Sequence, residues 1–213
     1  MRISVLTPDI SSNCLGRAYL LAGILQRRYE VEIVGPMFGT GIWEPLAKVD
    51  ELSYKATKVR ALPQCLLQTK EILKEITGSV IYASKPLFTS FGIGLLSKLA
   101  NHKPLILDID DWESGITKEF WRRLSPAYRP LFLGYSLLQL HKPVSLWNCL
   151  VGEKLTRFAD AITVSSNFLK KKFGGTIIWH ARDTELFNPE NFDAGRLREK
   201  YDIDRNKKLV MFF

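Results

Sequence analysis

Residues 79–110 read SVIYASKPLFTSFGIGLLSKLANHKPLILDID, and this stretch decides the fold. SVIYAS (79–84) is a short apolar run rich in strand formers, and PLILDID (104–110) is a second one. Between them, PLFTSFGIGLLSKLA (86–100) reads as a helix opened by Pro86. No tight hairpin signal joins the two runs, so the strands must lie parallel with the helix as their crossover. The same alternation extends outward. RISVLT (2–7) is followed by a helix from Gly16 to Tyr29, with Leu20, Leu21, Ile24 and Leu25 at helical spacing, and then by the strand VEIVGP (31–36). A strand is predicted near Thr57–Leu62, and an amphipathic helix over QCLLQTKEILKEI (64–76). AITVSS (161–166) and TIIWHA (176–181) are strands around the helix NFLKKKF (167–173). The expected fold is therefore α/β, a Rossmann-like doubly wound and mostly parallel sheet.

In such sheets ligands bind beyond the carboxyl ends of the strands. Four features fall there: SSNCLGR (11–17), SKP (84–86), DIDDWE (108–113) and WHARD (179–183). Gly16 with Arg17 at a helix start can receive a phosphate, or can be an ordinary helix entry. Neither GxGxxG nor GxxxxGK[ST] is present, so a dinucleotide fingerprint and a P-loop are both unsupported. DIDDWE admits three chemistries: an aspartate nucleophile of the haloacid-dehalogenase phosphatase type, a DxD metal site, or carboxylates that accept hydrogen bonds from a polyhydroxylated substrate. The plainer alternative is that its acids cap the next helix and pair with neighbouring cations. Alternation puts Asp108 and Asp110 on one side of the strand, with Asp108 expected to be structural and Asp110 and Asp111 to reach the cleft. Lys85, His180, Arg182 and Asp183 are candidates by position at the same edge.

Composition narrows the class. The chain has 213 residues, 46% hydrophobic and 24% charged, which suits a globular protein with a sizeable core. Cys14, Cys65 and Cys149 are far apart and odd in number, so neither a disulfide framework nor a zinc site is indicated, and a reducing cytoplasm is the expected location. The apolar run in MRISVLTPD is too short for a signal-peptide core. The net charge is +8, and residues 116–158 carry seven Lys/Arg against Glu119 and Glu153. Aromatic residues are interleaved with these cations, giving Trp121, Arg122, Arg123, Arg129, Phe132, Lys142 and Trp147 as a candidate peripheral contact with an anionic membrane. The segment is too interrupted to span a bilayer. An ordinary helical insertion packed on the sheet is the alternative. No nucleic-acid-binding module accompanies the charge, so nucleic acid is not an expected partner.

Three stretches together resemble the N-terminal domain of the family 4 glycosyltransferases, retaining enzymes of GT-B fold. They are MRISVLTPD with GRAYLLAGILQRRYEVEIVGP, then LILDIDDWE, then FADAITVSSNFLKKKFGGTIIWHARDTELFNP. The resemblance implies a two-domain enzyme with its active site in the interdomain cleft. The N-terminal domain (1–187, with the basic insertion at 116–158) would bind a glycan, lipid-linked or small-molecule acceptor. The C-terminal domain would hold the nucleotide-sugar donor, a co-substrate, with no metal or other cofactor. Gly16 would approach the donor diphosphate, and Asp110, Asp111 and His180 would line the sugar and acceptor side as the catalytic candidates. The family's Asn-Gly after the seventh strand is His180-Ala181-Arg182 here, a departure. Residues 188–206 read as a linker and helix. KKLVMFF (207–213) reads as the opening strand of a second domain, which a separate chain would otherwise supply. The competing expectations are a non-catalytic membrane-peripheral module and a haloacid-dehalogenase-type phosphatase.

Overall fold

The computed structural model describes residues 1–47, 52–61, 63–138, 142, 144–181, 184–185 and 188–210. Among these, seven strands form one sheet in the order β3-β2-β1-β4-β5-β6-β7, and every neighbouring pair is parallel. The strands are β1 (Arg2–Leu6), β2 (Glu30–Met37), β3 (Ser53–Lys58), β4 (Val80–Ser84), β5 (Leu105–Ile109), β6 (Ala161–Val164) and β7 (Thr176–Ile177). The crossover helices are α1 (Leu15–Gln26), α2 (Thr69–Glu75) and α3 (Ile93–Asn101). Helices α4 (Glu113–Arg123), α5 (Arg129–Leu138) and α6 (Leu146–Leu155) fill the long connection from β5 to β6, and α7 (Asn167–Phe173) joins β6 to β7. The doubly wound sheet of Rossmann type is thus present, matching one half of a GT-B fold.

Burial on both faces explains the near-continuous apolar runs. Ile3, Val5, Ile33 and Tyr82 pack in one core with Leu15, Ala18, Leu21 and Ala22 of α1. Their strand neighbours Leu6, Val34, Ile81 and Ala83 pack in the opposite core, with Leu105, Leu107, Ile109, Ile72 of α2 and Ile93 of α3. The two-residue period decides which side chain serves which face. It puts Asp108, between Leu107 and Ile109, on the α1 side.

Several boundaries differ from the sequence reading. The third strand is Ser53–Lys58, earlier than Thr57–Leu62, because its ladder with β2 pairs Glu32 with Ser53 through to Met37 with Lys58. It is a polar edge strand, so apolar content pointed to the wrong end of it. Leu62 lies outside the described residues. The second helix begins as a 3-10 turn at Gln64–Gln68, and the helix after Pro86 opens with a π turn at Phe88–Gly92. The last strand keeps only Thr176–Ile177. Among the described residues no helix is long and apolar enough to cross a membrane.

The chain divides into two compact units, Met1–His180 and Ala181–Phe213. In the second, Asp193 caps the helix α8 (Ala194–Lys200) by accepting from the Arg196 N–H at 3.0 Å. Residues 207–210 have no strand conformation, and 211–213 lie outside the described residues.

Candidate functional site

The chain runs outward from β1 to β2 and β3, then crosses back to β4 and continues to β7. The direction therefore reverses between β1 and β4, and this switch point opens a crevice at the carboxyl ends of the strands. Lys85 follows β4 there. Its backbone donates to the Asp108 carbonyl at 2.8 Å, and its own carbonyl accepts from Leu87 N–H at 2.8 Å and Ser90 Oγ at 3.0 Å. These bonds hold Lys85 at φ +65°, a left-handed conformation that costs a lysine about 1–2 kcal/mol.

That backbone turn places the ammonium among three acids. Lys85 Nζ lies 3.0 Å from Asp110 Oδ1, 3.1 Å from Asp111 Oδ2 and 2.7 Å from Glu113 Oε1. Burial alone would depress the Lys85 ammonium, but the charges of Asp110, Glu113 and Asp111 outweigh it and hold its pKa above the ordinary lysine value. Asp110 is pushed the other way from an ordinary ion-paired acid: burial raises its pKa, against the pull of Lys85. Asp111 remains about half exposed, so the cluster has an open side. Three carboxylates around one ammonium leave an excess of acceptors, suited to hydroxyl donors and unsuited to a phosphate.

Asp108, within β5, belongs to a separate and fully buried network. Arg17 donates from Nε to Asp108 Oδ2 at 2.9 Å and from Nη2 to Oδ1 at 3.0 Å, with both side chains buried. Thr163 Oγ1 donates to Oδ1 at 2.7 Å and lies 2.7 Å from the Tyr82 hydroxyl. Both carboxylate oxygens are taken, so Asp108 has no atom left for a phosphoryl substrate. Arg17 also donates to the carbonyls of Ile178 at 2.8 Å and Trp179 at 3.4 Å. It therefore ties α1, β5 and the exit of β7 together, and its guanidinium does not open to solvent.

Beside the acidic cluster is a cleft of about 860 Å³, within the roughly 300–1,000 Å³ of small-molecule sites. Asp110, Asp111, Trp112, Phe120, Ser166 and Phe168 line it, with Lys118, Arg122 and Arg123 of α4. Trp112 is fixed on all sides. Its indole N–H donates to Glu153 at 3.3 Å, its ring centroid is 5.9 Å from that of Phe168, and Lys172 Nζ lies 4.0 Å over it. Gly115 makes room for the ring, since a Cβ there would sit 2.0 Å from Trp112 Cδ2. Helix α6 braces the loop that follows Lys85. Asn148 Oδ1 accepts from Phe88 N–H at 2.8 Å, and a Cβ on Gly152 would come within 1.7 Å of the Pro86 carbonyl.

Of the residues chosen from sequence, Lys85, Asp110 and Asp111 meet in one cluster. Gly16 sits half-buried in the first turn of α1, near the Trp43 ring, and does not line the cleft. His180 is exposed beyond β7 and also lies outside that lining. Arg182 and Asp183 lie outside the described residues. Sequence reasoning missed Glu113 as the third acid on Lys85, and Glu153 as the residue that anchors Trp112. Glu113 carried a signal, standing three residues after Asp110 at a helix start; Glu153, far along the chain, carried none. Among the described residues no group of three or more His, Cys, Asp or Glu side chains could hold a metal ion. Burial raises the pKa of all three thiols, that of Cys149 to about 12 with Glu113 and Glu153 adding to it, so none is an activated nucleophile.

No family model matches the chain, and neither does any curated protein. A solved structure does: the crystal structure of HepE from Anabaena, in complex with UDP and glucose. The TM-score is 0.61 at 17% sequence identity, over 94% of this chain and 50% of that one. The shared feature is the fold. This chain spans half the length of the protein it matches. At this identity the match assigns no residue a role.

Proposed function

We propose that the chain is the acceptor-binding, N-terminal half of a retaining GT-B glycosyltransferase of family 4 type. The observation that carries this reading is the Lys85–Asp110–Asp111–Glu113 cluster, open beside an aromatic cleft at the switch point of the sheet. Carboxylates accept hydrogen bonds from sugar hydroxyls, and the exposed ring of Phe168, backed by Trp112, can cover the apolar side of a sugar ring. Lys85 holds the three carboxylates in place. The excess of carboxylates repels a diphosphate, so the nucleotide-sugar belongs mainly to a second domain, in this chain's continuation or in a separate one. Gly16 and the amino end of α1, which has no acid in its first turn, are assigned to the approach of the donor phosphates. The fold is shared with half of a protein crystallised with UDP and glucose, which supports a nucleotide-sugar as co-substrate of the whole enzyme.

Saturation-transfer NMR with residues 1–213 tests this. Glycan acceptors are expected to bind, and Asp110→Asn and Asp111→Asn to weaken that binding by about tenfold each, the loss of one or two charge-assisted hydrogen bonds. UDP-glucose should bind weakly and undergo no transfer. Nucleotide-sugar binding that is tighter than glycan binding and indifferent to both substitutions would sink the assignment.

A further inference from the structure

We infer that helices α4 and α5 form a docking face for an anionic lipid bilayer. The key feature is the polarity of α5, which is turned inside out. Tyr128, Leu131, Tyr135 and Leu138 recur at helical spacing and are 63%, 72%, 58% and 80% exposed, whereas Ser136 is 8% exposed. A helix that merely packs on a sheet buries its apolar stripe and shows its serine to water. Ile116 and Phe120 of α4, 58% and 54% exposed, extend the apolar surface. The two helices hold a fixed relation through the Phe120 and Phe132 rings, 5.1 Å apart. Arg129 locks the turn between them, donating to the carbonyls of Leu124 at 3.2 Å and Arg122 at 3.0 Å beneath the Trp121 ring.

Charge identifies the occupant. Lys118, Arg122 and Arg123 of α4, at the border with the cleft, are exposed, as is Lys142 beyond α5. The acids between 116 and 158 are Glu119 and Glu153. Glu153 is turned inward to the Trp112 indole and the Ser114 N–H, and Glu119 lies between Arg122 and Arg123. The outward face is therefore cationic as well as apolar. A second copy docked isologously would bring two cationic patches together. Anionic headgroups neutralise them, while tyrosine and leucine enter the boundary between headgroups and acyl chains. No described helix can cross a membrane, so the contact is peripheral.

The experiment is co-sedimentation of the 213-residue chain with vesicles of phosphatidylcholine, with and without phosphatidylglycerol. The chain is expected to pellet with the anionic vesicles and remain in solution with phosphatidylcholine alone, and added salt should release it. Leu131→Ser with Leu138→Ser should lower binding by about tenfold or more, with the circular dichroism and melting curve unchanged because both residues face outward. Arg122→Gln with Arg123→Gln should abolish the preference for anionic vesicles. Wild-type chain that ignores both vesicle types, or a double-serine variant that pellets like wild type, would overturn the assignment. So would a dimer in analytical ultracentrifugation that the serine pair dissolves while vesicles have no effect.

Discussion

Lys85 is held by two opposing demands, and their balance is measurable. Its backbone sits in a region that glycine occupies at no cost, while its ammonium serves three acids. Lys85→Ala loses the ion pairs and keeps the strain; Lys85→Gly loses the ion pairs and relieves it. Chemical denaturation should therefore find both variants less stable than wild type by about 3 kcal/mol, as for a buried charge left without its partner. The glycine variant should be the more stable of the two by about 1 kcal/mol. A second residue sets the acid response. Glu32 is buried at the opposite end of the sheet, and burial works to raise its pKa. Lys55 at 2.8 Å, the Ser4 hydroxyl and the Thr77 N–H and hydroxyl outweigh this and lower it from 4.5 to about 2. The folded value lies below the unfolded one, so this stabilisation is complete above about pH 4.5 and is lost as pH falls towards 2. It amounts to about 3 kcal/mol. Glu32→Gln should accordingly flatten the loss of stability between pH 5 and 2 in urea titrations; an unchanged acid limb would contradict the assignment.

At the scale of elements, α6 is the brace of the site. Gly152 lies so close to the Pro86 carbonyl that a methyl group cannot be accommodated without moving backbone. Gly152→Ala should cost about 2 kcal/mol or more, and by shifting the loop that carries Lys85 it should weaken glycan binding as well. Gly134, in the exposed body of α5, meets nothing within 4 Å and supplies the control. Gly134→Ala should raise stability by about 0.5–1 kcal/mol through helix propensity, with binding unchanged. Melting curves and the NMR titration separate the two. The sequence announced that residues 116–158 were aromatic and basic, with a helical insertion as the alternative, but could not say which side of α5 faces water. Periodicity reports that a stripe exists and is silent about what covers it. The polar edge strand β3 was misplaced for a related reason, since its register depends on β2.

At the scale of the whole molecule, the parallel sheet was legible because strands buried on both faces are continuous apolar runs separated by helical periods. Lys85, Asp110 and Asp111 were legible because each ends such a run, and the ends of parallel strands share one edge. The pairing of Arg17 with Asp108 was not, since 91 residues separate them and a guanidinium near a helix start looks like a phosphate ligand. Sheet order has a further consequence, for the path of folding. Strand β1 lies next to both β2 and β4 in the finished sheet. Its β2 side closes over a local loop, but its other side waits for Val80–Ser84, almost eighty residues away. Until that distant segment arrives, β1 presents an unsatisfied, strongly apolar edge, the kind that captures foreign strands. Non-local closure of this sort is slow. The central strand, the best protected part of the native protein, is thus the most vulnerable part of the nascent one.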